Sequence, residues 1–152
     1  MENTLTARAS LQIQKPIEEV FDAIVNPEKM SNYFIEHSTG YLEEDENVEW
    51  KFPEFDDVFP VTGKTIQEPT YISFDWSGGA EGMLVEIFLE DVNGTSTIVR
   101  IKEKEMQANH EGIHQAIGQT EGWANFLASL KAYLEYGINL RKGAFDFMKG
   151  AE

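Results

Sequence analysis

The chain has 152 residues, 41% of them hydrophobic and 12% aromatic, a balance that excludes disordered and fibrous classes. With 27 acidic against 12 basic residues it carries a net charge of -15, a field that repels phosphate backbones and anionic lipid and makes nucleic acid a poor partner. There is no cysteine for disulfide or thiolate chemistry, MENTLTARAS lacks the basic and apolar regions of a secretory signal, and no run approaches the ~18 apolar residues of a membrane span. The expectation is one domain over residues 1–152, with a cytoplasmic address and no membrane insertion.

Thr4 to Ile13 places Leu5, Ala7, Ala9, Leu11 and Ile13 on one face, the alternation of a half-buried strand. Pro16 then suits the first turn of a helix in which Ile17, Val20, Phe21 and Ile24 recur at helical spacing. Asn26-Pro27 breaks it, and PEKMSNYF predicts a second short helix carrying Met30, Tyr33 and Phe34. From Glu36 to Met106 the pattern becomes a strand meander: around Tyr41, then NVEWKF, VFPVTGKTIQE, TYISFDW, MLVEIFLEDV and TSTIVRIKEKE. Asn93-Gly94 reads as a two-residue hairpin turn, and Gly78, Gly79 and Gly82 mark the preceding bend. The stretch TEGWANFLASLKAYLEYG holds three charged residues, and Trp123, Phe126, Leu127, Leu130 and Leu134 form one apolar stripe. A long helix from Glu121 to about Arg141, capped by Thr120, is predicted to lie across the sheet, with Ala124, Ala128 and Ala132 presenting small side chains on an adjacent face.

A strand, two small helices, a meander and a long terminal helix give an α+β fold in which a curved antiparallel sheet wraps the helix. The order resembles the helix-grip fold of the START and birch-pollen-allergen superfamily. KPIEEVFDAIVNPEKMSNYF and GWANFLASLKAYLEYG resemble the opening and closing segments of its branch related to the activator of the Hsp90 ATPase. The resemblance implies a space between sheet and helix that holds an apolar or amphipathic molecule, and, as an alternative, a module that interacts with a chaperone or other protein.

The aromatic residues suit such a space. Phe34, Trp50, Phe52, Phe74, Trp76, Trp123 and Leu127 are the candidate ligand-binding residues for a hydrophobic or lipid-like molecule; the competing reading is a filled core. Tyr33, Tyr71, Tyr133 and Asp75 are candidate polar handles. His110-Glu111-Gly112-Ile113-His114 is a literal HExxH, which makes His110 and His114 candidate metal ligands of a third reading, a metal-dependent hydrolase. Gly112 inside the motif, a connector expected to be exposed and the lack of an evident third ligand argue against that reading, and the resemblance carries no metal here. The eight carboxylates between Glu43 and Asp57 read as a solvated hairpin, with a basic protein as its conceivable partner. No cofactor is expected and no catalytic residue is assigned. The tail LRKGAFDFMKG either folds back on the domain or buries against a second copy as a homodimer.

Overall fold

A computed structural model describes residues 4–76 and 84–149. Strand β1 (Thr4–Ile13) is followed by helix α1 (Ile17–Val25) and the single turn α2 (Pro27–Met30). Six strands follow, β2 (His37–Ser38), β3 (Asn47–Lys51), β4 (Val58–Gln67), β5 (Tyr71–Asp75), β6 (Leu84–Val92) and β7 (Ser96–Gln107). Helix α3 (His110–Tyr136) comes next, and a 3-10 turn at Asp146–Met148 lies in the tail. The strands form one antiparallel sheet in the order β1-β7-β6-β5-β4-β3-β2, so the first strand joins the last and the meander fills the rest. Register shifts at Leu5/Ala7 and Gly63/Ile66 locally increase twist and help the sheet bend around α3, which packs on β1 and β7.

Two local features differ from expectation before the long helix is reached. Helix α2 ends at Met30, yet Met30, Tyr33 and Phe34 are all buried, because the turns after it carry the two aromatics inward. The short strand falls at His37–Ser38, while Tyr41 is exposed in the following loop. The Asn93-Gly94 turn has positive φ at both residues, but Val92 pairs with Ser96, so the hairpin contains Thr95 as well. The bend expected at Gly78, Gly79 and Gly82 lies outside the described residues.

The largest difference is at α3, which begins at His110 rather than Glu121 and ends at Tyr136 rather than near Arg141. Its cap is Asn109, whose Oδ1 accepts a 2.8 Å hydrogen bond from the Gly112 N–H; Thr120 instead donates to the Ala116 carbonyl within the helix. Gly112 allows the helix to start hard against the end of β7: a Cβ there would lie 1.6 Å from the Gln107 carbonyl oxygen. At the other end Gly137 takes the left-handed conformation and returns its N–H to Tyr133, a glycine stop. The stripe at Trp123, Phe126, Leu127 and Leu130 is buried as expected and Leu134 is partly buried. The first three turns expose nearly everything except Gly112, so apolar periodicity could not reveal them.

The C-terminal half of α3 is pinned to β1 by polar contacts as well as by its stripe. Glu135 accepts from the Gln14 backbone N–H at 2.7 Å and from Lys131 at 2.6 Å, and Lys131 also donates to the Gln12 carbonyl. Burial pushes the Glu135 carboxyl up, but the Gln14 N–H and the Lys131 ammonium outweigh it and hold the group below its ordinary value of 4.5. The stability this gives is complete above that ordinary value and is lost as the pH falls through the lower folded value. Glu135→Gln is therefore expected to destabilise the protein by about 1.5 kcal/mol at pH 7, and the gap from wild type should close as denaturant titrations are taken below about pH 4.

Candidate ligand cavity

Alternation along the strands brings the predicted aromatics together. Trp50 on β3 meets Phe74 on β5 with ring centroids 5.3 Å apart, and Trp76, just past β5, lies 5.2 Å from Trp123 of α3. Phe34 stands at the centre, 5.2 Å from Phe52, 5.6 Å from Trp50 and 4.7 Å from Phe126. Most of these contacts are edge-on, the arrangement favoured by the ring quadrupoles.

The cluster is a packed core on one side and a cavity wall on the other. Phe34, Phe52, Trp76 and Trp123 face a cavity of about 910 Å³, whereas Trp50, Phe74 and Leu127 lie in the packed layer and do not line it. The opposite wall is the polar beginning of α3, where Gln115, Gly118, Gln119 and Gly122 recur at helical spacing. An added Cβ at Gly118 or Gly122 would meet nothing within 4 Å, so these glycines hold the space open. The small alanine side chains of the helix lie elsewhere: Ala124 and Ala128 are exposed and Ala132 packs inward at the far end of the helix.

The polar groups of the cavity are ones the sequence reading passed over. On β7 the inward positions run Thr97, Val99, Ile101 and then Glu103, a carboxylate in phase with an apolar stripe and only 1% exposed. Its Oε1 accepts from the Trp123 indole at 2.8 Å and the Gln119 amide at 2.7 Å, and its Oε2 accepts from the Trp76 indole at 2.9 Å. Period-two placement after Val99 and Ile101 was the signal available for it. Glu54, read as part of a solvated acidic hairpin, is instead buried and bonded to Arg141 at 2.7 Å. The Arg141 guanidinium also lies over the rings of Phe52 and Phe145, at 5.2 and 4.7 Å. This pairing folds the tail back across the cavity, where Phe145, Phe147 and Met148 complete the wall.

The expected polar handles fall elsewhere. Tyr33 is fully buried with its hydroxyl donating to the Ala23 carbonyl at 2.8 Å, and burial, reinforced by Tyr133, raises its pKa well above the ordinary tyrosine value. Tyr133 stacks on Tyr33 at 5.6 Å. Tyr71 and Asp75 alternate with the inward Ile72 and Phe74 and so face the outer side of the sheet, where Tyr71 donates to Glu86 at 2.6 Å. His110 and His114 lie on the first turns of α3, not on a connector, and both are exposed. Among the described residues no three His, Asp or Glu side chains converge as a metal site.

A curved seven-stranded antiparallel sheet, two short helices after its first strand and a long helix gripped against it define a helix-grip α+β domain. The chain belongs to the activator of Hsp90 ATPase homolog 1-like family, whose model matches residues 14–135. Among solved structures it is similar to a Staphylococcus saprophyticus protein, 27% identical, with a TM-score of 0.79 over 90% of this chain and 96% of that one. It also resembles the Aha1 dimer of Colwellia psychrerythraea, 17% identical with a TM-score of 0.74 over 88% and 98% of the two chains. DynU16, from the dynemicin biosynthetic locus, is 20% identical with a TM-score of 0.75; the match spans 88% of this chain and 48% of that protein. The last two likenesses bear on the fold. No curated protein sequence matches significantly. Among the described residues no helix is long and apolar enough to cross a membrane.

The glycines of α3 give opposite expectations. Gly118→Ala and Gly122→Ala add a methyl group into open space and remove backbone freedom from the unfolded chain, so each should stabilise by about 0.5 to 1 kcal/mol. Gly112→Ala must push the helix start off β7 and should destabilise by about 2 kcal/mol. Chemical denaturation of the three variants checks both signs.

Proposed function

We propose that this domain binds a hydrophobic or amphipathic small molecule between the sheet and the amino-terminal half of α3. Phe34, Phe52, Trp76 and Trp123 form its apolar contact surface, and Trp50, Phe74 and Leu127 hold those rings in place from behind. The observation that carries this reading is the cavity of about 910 Å³, a volume in the range of small-molecule sites, with an aromatic wall facing the polar start of α3. The tail acts as a strap, since the Arg141–Glu54 pair fixes it across the opening. The lack of cysteine is compatible with a cytoplasmic setting for such a protein.

Neutral N-phenyl-1-naphthylamine should bind saturably with one site per chain and quench tryptophan fluorescence. Gly122→Phe, which places a ring in the cavity at a position free of neighbours, should remove that binding while leaving the circular dichroism unchanged. Absence of saturable binding, or equal binding by the variant, would contradict the reading.

A second reading, a protein-interaction module of the co-chaperone kind, draws on the family and on one patch of surface. Tyr136, Ile138, Leu140 and Phe147 are between 50% and 80% exposed around the end of α3 and the tail. Titration into an Hsp90 ATPase assay separates the two: several-fold activation, lost on Leu140→Asp, would place this reading first.

A further inference from the structure

Glu103 is the feature that a purely apolar site does not explain. A carboxylate with 1% of its surface exposed is normally matched by a cation, yet none of the ion pairs among the described residues includes it. Its partners are two indole N–H groups, which can only donate, and the amide of Gln119. That set directs three neutral donors at the two oxygens, each of which acts as an acceptor. Oε1 receives two of these bonds and Oε2 one, so Oε2 keeps acceptor capacity for a further donor.

The surroundings carry the same sign. Among the described residues Glu54, Glu103 and Glu121 line the cavity together with one basic residue, Arg141, whose Nη2 is bonded to Glu54 at 2.7 Å while its Nε has no hydrogen-bond partner. Trp76 and Trp123, the two rings that donate to Glu103, present aromatic surface beside it, and the ring quadrupole attracts cations. A negatively charged group and two indoles at one end of an apolar cavity make a site for a positive head on a hydrophobic body.

Resting on the reading of the cavity as a ligand site, we infer that its ligand is a hydrophobic cation carrying a protonated amine, with the ammonium placed at Glu103 Oε2 beside Trp76 and Trp123. The carboxylate is desolvated by folding, before any ligand arrives, so an ammonium gains an oriented partner. An anionic ligand of the same shape is set against an uncompensated like charge.

The test uses three probes with one twelve-carbon chain, dodecylammonium, dodecanol and dodecanoate, titrated calorimetrically below micelle formation at 0.15 M salt, where long-range attraction to the acidic surface is screened. Dodecylammonium should bind about tenfold or more tighter than dodecanol, the scale of a charge-assisted hydrogen bond, and dodecanoate should be weakest. Glu103→Gln should bring the ammonium and the alcohol together, whereas Glu111→Gln, which removes the same charge from an exposed position, should preserve the difference. Should Glu103→Gln fail to fold, Gly122→Phe serves: it leaves Glu103 in place and must abolish ammonium binding if the cavity is where it occurs. Equal affinity for the ammonium and the alcohol would overturn the inference and leave the cavity reading standing. Tightest binding of dodecanoate would also overturn it, transferring the anchor to Arg141. No binding of any probe would remove the cavity reading, and the inference with it.

Discussion

The Glu103 carboxylate holds the architecture of the cavity together. It sits on β7, between β1 and β6, and reaches both the helix, through Trp123 and Gln119, and the end of β5, through Trp76. Burying an unpaired carboxylate costs several kcal/mol, and the three donors offset that cost only when strand, helix and β5 end are all in place. One polar residue thus fixes the distance at which α3 crosses the sheet near the cavity. Farther along, Glu135 and Lys131 do the same at the carboxyl-terminal end of β1. Between those two attachments lies the apolar stripe of Phe126, Leu127 and Leu130.

The two halves of α3 consequently have different tasks. From Trp123 onward the helix is packed, with large side chains turned to the core. Before Trp123 it is almost bare toward the sheet, offering Gly118, Gly122 and glutamines in place of apolar side chains. Two glycines inside a helix lower its intrinsic stability by about 1 kcal/mol each relative to alanine, a sacrifice that is understandable where the missing side chains leave room for something else. The packed apolar layer of Trp50, Phe74 and Leu127 keeps the opposite wall from collapsing into that room, and the tail closes over it through Arg141.

The sequence revealed what obeys a period. The inward face of β1, the burial of α1, the strand meander and the stripe of α3 all follow from apolar residues at spacings of two or near 3.6, and the structure places them accordingly. The seven cavity candidates were recognisable as one cluster for the same reason, but sorting them into lining and support required three dimensions. What escaped was polar. The first three turns of α3 carry no apolar stripe because they face solvent and an open cavity, so this stretch read as an exposed connector containing Gly112. Glu54 looked solvated because its partner, Arg141, lies 87 residues away. Glu103 stood at an inward position of its strand, but a carboxylate in the charged run Lys102, Lys104 and Glu105 reads as surface until the indoles that hold it are seen.

Trp76 and Trp123, joined through Glu103, form one end of the cavity proposed to take a ligand, while Trp50 lies behind it in the core. The three indole N–H resonances of the ¹⁵N-labelled protein report on these positions separately. During titration with dodecylammonium, the Trp76 and Trp123 indole signals should move together and saturate, with a much smaller displacement of Trp50. Saturable binding that leaves both of those signals in place, with shifts confined to residues on the outer face of the sheet such as Tyr71 and Phe88, would contradict the account.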